Sequence, residues 1–85
     1  MEAYVLLKIS RQREMYGFGR SVVEKLRTIK GVKSADLLFG DYDAIVRVDA
    51  DRVHNVENLV MEKVSTSEGI ESTVTLLCVD ETLLK

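Results

Sequence analysis

Apolar positions along the chain change their period several times, and each change predicts an element. From Ala3 to Ser10 they alternate, with Val5, Leu7 and Ile9 on one face and Tyr4, Leu6 and Lys8 on the other. Both faces are largely apolar, which predicts a central strand. The next segment, RQREMYGFG from Arg11 to Gly19, is polar, aperiodic and glycine-containing, and predicts a loop. Between Arg20 and Lys30 the residues Val22, Val23, Leu26 and Ile29 fall at helical spacing, and Gly31 follows as a stop. Two strands come next, Val32 to Phe39 and Asp43 to Asp49, the second with Ala44, Val46 and Val48 on one face and Ile45 and Arg47 on the other. Asp51 then reads as the N-cap of a second helix with a stripe of Val53, Val56, Leu59, Val60 and Val64, ended by Ser65 to Gly69. The last strand is Ile70 to Val79, where Val74, Leu76 and Cys78 alternate with Thr73, Thr75 and Leu77.

The order is βαββαβ, a weak internal repeat of two βα halves, with no proline, linker or low-complexity stretch. Two helical crossovers around a central hairpin predict an α+β, ferredoxin-like domain whose helices share one face of a four-stranded antiparallel sheet. Simple alternation assigns Val5, Leu7, Ile9, Ala44, Val46, Val48, Val74, Leu76 and Cys78 to the helix side. It leaves Tyr4, Leu6, Lys8, Ile45, Arg47, Thr73, Thr75, Leu77 and Val79 on the other side. That second face is too apolar to be left wholly in water, so a dimer packed sheet against sheet, of the dimeric α+β barrel type, is expected.

Composition narrows the class. The 85 residues make one domain over 1–85, with 46% hydrophobic and 31% charged residues and a formal net charge of −2. That is ordinary globular composition, small enough to gain from oligomerisation. The net acidity argues against direct nucleic-acid binding. No apolar run is long enough to span a bilayer, and MEAYVLLKIS lacks a basic n-region, so neither membrane insertion nor export is expected. The single cysteine, Cys78, agrees with a reducing cytoplasm.

The chemistry that stands out is the hairpin turn. In LLFGDYDAIVRV, Leu37 to Val48, Gly40 supplies the positive φ and Asp41 and Asp43 favour a turn through local hydrogen bonds, so the turn projects two carboxylates and the Tyr42 phenol at one end of the sheet. Turn formation alone explains these residue types. The cations Arg11, Arg13 and Arg20 suit a carboxylate or phosphate, although loop charges are ordinarily solvated. His54 with Glu57 is an incomplete metal set, Cys78 has no histidine partner, and no glycine pair has phosphate-loop spacing, so neither a cofactor, a metal nor catalysis is expected.

The strand AYVLLKI, the passage EKLRTIKGVKSADLLFGDYDAIVRV from Glu24 to Val48, and the closing GIESTVTLLCV from Gly69 to Val79 together resemble the effector-binding (RAM) domain of the Lrp/AsnC regulators. The resemblance covers nearly the whole chain, and GDYD with the threonine-containing last strand is its most specific part. It implies sheet-to-sheet dimers that assemble further into higher homo-oligomers, with an amino-acid effector bound between dimers near the turn. It also implies a stand-alone form, because no helix-turn-helix half precedes the first strand, with a full-length Lrp/AsnC regulator as a further partner. The ligand-binding residues it implies are Gly40, Asp41, Tyr42, Asp43, Thr73 and Thr75. Asp41 or Asp43 would accept from the ammonium, while turn N–H groups and the threonine hydroxyls hold the carboxylate. Glu57, Asn58 or Glu62 of the second helix would set side-chain choice, against the plainer reading of a solvated helix face.

Two rival functions stay open at this point. A small dimeric α+β barrel enzyme, monooxygenase- or isomerase-like, would want a placed His, Asn or Trp in a cavity, and this chain has no Trp and one His. A purely structural oligomerisation module would need no ligand at all. The ACT domain shares the βαββαβ order but pairs side by side and lacks the GDYD hairpin.

Overall fold

A computed structural model of the chain describes residues 1–10 and 15–79. The strands are β1 (Glu2–Ile9), β2 (Val32–Leu37), β3 (Ala44–Asp49) and β4 (Ile70–Leu77); the helices are α1 (Met15–Leu26) and α2 (Val53–Leu59), the latter running on into a π-helical turn, Val60–Val64. They form a four-stranded sheet in the order β2-β3-β1-β4, with every neighbouring pair antiparallel. This is the ferredoxin-like α+β arrangement. The helices take one face because each right-handed crossover returns over the same side.

The core lies between helices and sheet. Val22, Val23 and Leu26 of α1, together with Val56, Val60 and Val64 of α2 and its π turn, pack with Ala3, Val5, Leu7, Ile9, Ala35, Ala44, Val46 and Val48. The β1–β3 register, Val5 opposite Val46 and Leu7 opposite Ala44, makes these alternate residues one apolar layer.

Several boundaries differ from the sequence expectation. The stretch from Met15 to Gly19, read as loop, is the start of α1, which ends at Leu26 and not Lys30. Gly19 is buried there, and a Cβ on it would lie 3.1 Å from Leu37 Cδ2. The glycine that looked like a breaker is what lets the helix approach the end of β2. The cations Arg11 and Arg13 lie outside the described residues, and Arg20 is exposed on α1. Asp51 does not cap α2: the N-cap is Arg52, extended at φ −140° and ψ 157°, with no side-chain cap bond. At the other end the Ser65 N–H reaches back to the Val60 carbonyl at 2.7 Å, and the hydroxyls of Ser65, Thr66 and Ser67 donate to the carbonyls of Met61, Glu62 and Lys63. Three successive hydroxyls thus satisfy carbonyls that a helix end would leave orphaned.

The largest correction concerns the faces of β4. Ala3, Val5 and Leu7 stand opposite Leu77, Thr75 and Thr73, while Tyr4, Leu6 and Lys8 stand opposite Leu76, Val74 and Ser72. Residues opposed in an antiparallel pair share a face. Thr73, Thr75 and Leu77 are therefore on the helix side, and Val74 and Leu76 are on the open side, the reverse of the assignment by alternation. Cys78 follows them, its N–H bonded to the Glu2 carbonyl at 3.0 Å. The alternation was real, but β4 is an edge strand, and its more apolar half faces away from the helices.

Candidate functional site

The hairpin between β2 and β3 is fastened by one residue. The Leu38 N–H donates to the Asp43 carbonyl and the Asp43 N–H to the Leu7 carbonyl, both at 2.8 Å. The Asp43 carboxylate in turn accepts from the Ile9 N–H, Oδ2 lying 2.8 Å away. That N–H belongs to the end of β1 where the β1–β4 register slips between Lys8 and Ile9. The β1–β3 register ends at Leu7 opposite Ala44, so Asp43 satisfies a donor that lies past the end of that ladder, and ties the turn to the central strand. One carboxylate oxygen is committed to structure, and Oδ1 makes no hydrogen bond within the described residues.

The rest of the turn is presented outward. Gly40 adopts φ 156°, with open space where a Cβ would sit. Asp41 is exposed, Tyr42 half-buried, and Phe39 fully exposed beside them. The Lys8 ammonium stands 5.9 Å from the centre of the Tyr42 ring, a cation–π placement. Ser72 faces Lys8 across the β1–β4 pair, on the open side of the sheet. This end of the sheet therefore carries an anion, a cation, an aromatic face and a hydroxyl together.

The residues expected to form one ligand set do not all converge. Gly40, Asp41, Tyr42 and Asp43 share the turn. Thr73 and Thr75 face the helix side of β4, opposite Leu7 and Val5, so the expected convergence with Asp43 on the open face is not seen. The topology starts α2 at the far end of β3 and returns its π turn to the end carrying the hairpin. Glu57 is exposed near that far start, Asn58 is half-buried, and Glu62 is exposed in the π turn. His54 is exposed in the first turn of α2, and among the described residues no group of three or more His, Cys, Asp or Glu side chains is placed to hold a metal ion. The sequence pattern gives Lys8 a place on the second face but no role in the site, and does not single out Ser72. Strand alternation placed Lys8 on the open face, but its meeting with Tyr42 is a long-range contact that no local pattern encodes.

The open face is apolar around a few charges. Tyr4 and Leu6, Ile45, and Val74 and Leu76 occupy it by register, with Leu76 52% exposed. Arg47 Nε pairs with Glu2 Oε1 at 3.0 Å beside them.

Comparison with known proteins agrees with this geometry. The family model for the Lrp/AsnC ligand binding domain matches residues 2–84. Homocitrate synthase from Saccharolobus islandicus is 39% identical over 57 residues, 67% of this chain but 12% of the enzyme. An uncharacterized HTH-type transcriptional regulator from Pyrococcus abyssi is 30% identical over 61 residues, 72% of this chain and 41% of the regulator. The chain thus spans less than half of either curated relative. Among solved structures, a hypothetical protein from Pyrococcus horikoshii superposes with a TM-score of 0.78 at 29% identity, covering 93% of this chain and 89% of that one. A Neisseria meningitidis transcriptional regulator, solved as its L-Met complex, shares the fold with a TM-score of 0.75 at 15% identity, over 94% of this chain and 50% of its own. With a family match over nearly its whole length and a fold to go with it, the chain belongs to the Lrp/AsnC ligand binding domain family.

Proposed function

We propose that this domain is an amino-acid sensor that binds its effector at the turn end of the sheet and signals through its assembly. The observation that carries the reading is the fastened turn, in which Asp43 is fixed to β1 while Asp41 is exposed and the Tyr42 ring meets the Lys8 ammonium. A zwitterion needs an acceptor for its ammonium, a donor for its carboxylate and partial shielding from water. Asp41 and the second oxygen of Asp43 supply the acceptors, the backbone around Gly40 supplies donors, and the Tyr42 ring supplies cover. Thr73 and Thr75 drop out of the set because they face the helices.

The assembly reading rests on the open face. Tyr4, Leu6, Ile45, Val74 and Leu76 cover it, and a second copy packed sheet against sheet would remove them from water. Leu38 and Phe39, exposed beside the turn, provide the surface for growth beyond a dimer. Coupling then requires that the effector bind one assembly state more tightly than another. The family match, with an HTH-type transcriptional regulator among the relatives, supports a full-length Lrp/AsnC regulator as the partner through which the domain acts.

A second reading concerns the partner alone. The same stretch recurs as a small part of homocitrate synthase, so a biosynthetic enzyme is the alternative recipient of the signal.

The test is a thermal-shift screen of the purified protein against the twenty amino acids, with light scattering alongside. Binding to the native state raises the melting temperature by mass action. A rise with one or a few amino acids, reduced in Asp41→Asn and Tyr42→Ala, is the expected result. A stable oligomer with no response to any of them would leave a structural module and sink the sensor reading.

A further inference from the structure

Among the described residues, the charges in register on the open face are paired with one exception. In register on that face stand Glu2, Lys8, Asp36, Arg47 and Asp49. Glu2 pairs with Arg47, Asp49 with the N-terminal amine at 3.2 Å, and Asp36 with Arg27 at 3.5 Å. Lys8 has no carboxylate within ion-pair distance among the described residues, although it sits at the end of the sheet that carries the acidic turn. Its ammonium rests on the Tyr42 ring instead.

We propose that Lys8 is the carboxylate-binding residue of the effector site, with the Ser72 hydroxyl beside it, and that the site therefore selects ligands with a free α-carboxylate. The inference rests on the effector-binding reading and assigns within it the role that Thr73 and Thr75 cannot fill. Opposite charges flank Tyr42, with Asp41, its neighbour in the turn, for the ammonium and Lys8, against its ring, for the carboxylate. The Tyr42 face holds the Lys8 amine near the turn while leaving its N–H donors free. A ring is a weak partner for an ammonium in water, so an incoming carboxylate displaces it readily. Covering the open face with a second copy sharpens the point, because a cation losing its water there needs an anion.

The test uses the thermal-shift panel with each active amino acid set against its α-amide, which keeps the ammonium and side chain but lacks the carboxylate. Wild type should respond to the acid and not to the amide. Lys8→Met should weaken the response to the acid by about ten- to a hundredfold in apparent affinity, the size of a lost charge-assisted hydrogen bond, and Lys8→Arg should largely restore it. Lys8 is exposed, so both variants should melt near wild type without ligand. An unchanged response in Lys8→Met, or equal responses to acid and amide, overturns the assignment while leaving the sensor reading in place. Loss of the dimer in Lys8→Met also overturns it, since the anion that Lys8 meets would then belong to a second copy. No response of wild type to any amino acid overturns the sensor reading and this inference together.

Discussion

Asp43 serves the fold with one carboxylate oxygen and is proposed to serve the site with the other. Its carboxylate accepts from the Ile9 N–H across 34 positions of sequence, and its own backbone groups close the hairpin. Asp43→Ala should leave that N–H without a partner and cost about 1.5–3 kcal/mol, as for other hydrogen bonds to charged groups. Asp43→Asn keeps an acceptor oxygen and should cost about 1 kcal/mol, so urea unfolding followed by circular dichroism separates the two. Equal, negligible losses would show that the clasp contributes nothing. The sequence marked Asp43 as a turn former because its neighbours Gly40 and Asp41 are turn residues, and the family resemblance implied its role as a ligand acceptor. It was silent on the clasp, because the partner is a backbone N–H and carries no side-chain signature. Lys8 escaped for a related reason, its partner Tyr42 being distant in the chain and the contact lying at the end of a strand.

At the scale of elements, legibility followed the strength of the apolar period. The strands β1 and β3 and the stripe Val56, Val60 and Val64 were readable because each has a single buried face. The start of α1 was not, since Gly17 and Gly19 lower helix propensity and only the approach to Leu37 explains the second of them. On β4 every position from Glu71 to Leu77 is exposed or half-buried in the single chain, so burial on folding does not decide its orientation and pairing with β1 does. That register yields a sharp prediction. Leu76→Glu puts a charge on the open face and should weaken the proposed sheet-to-sheet dimer by at least about a hundredfold, because a two-fold interface carries the change twice. Leu77→Glu, one residue on and facing the helix side, should leave assembly intact. Light scattering on the two variants decides, and the opposite pattern would restore the face assignment made from alternation.

For the whole molecule, the arrangement puts both helices on one side of a single sheet and, among the described residues, gives the other apolar side no layer of its own. A domain of 85 residues has little stability to spare. If a second copy supplies the missing layer, folding and assembly share one equilibrium, and the melting temperature must depend on protein concentration. Each tenfold increase adds about 1.4 kcal/mol per mole of dimer, or about 0.7 kcal/mol per protomer, which for a domain of this size is a rise of roughly 3–5 °C. Leu76→Glu should melt lower and independently of concentration, since its native state would be the monomer. A wild-type melting temperature that stays flat over two decades of concentration would mean that the open face is stable in water, and the assembly through which the effector is proposed to act would lose its basis. A slope that steepens when an active amino acid is present would instead show that the ligand favours a larger assembly, because the slope per protomer is set by the number of copies that separate on unfolding.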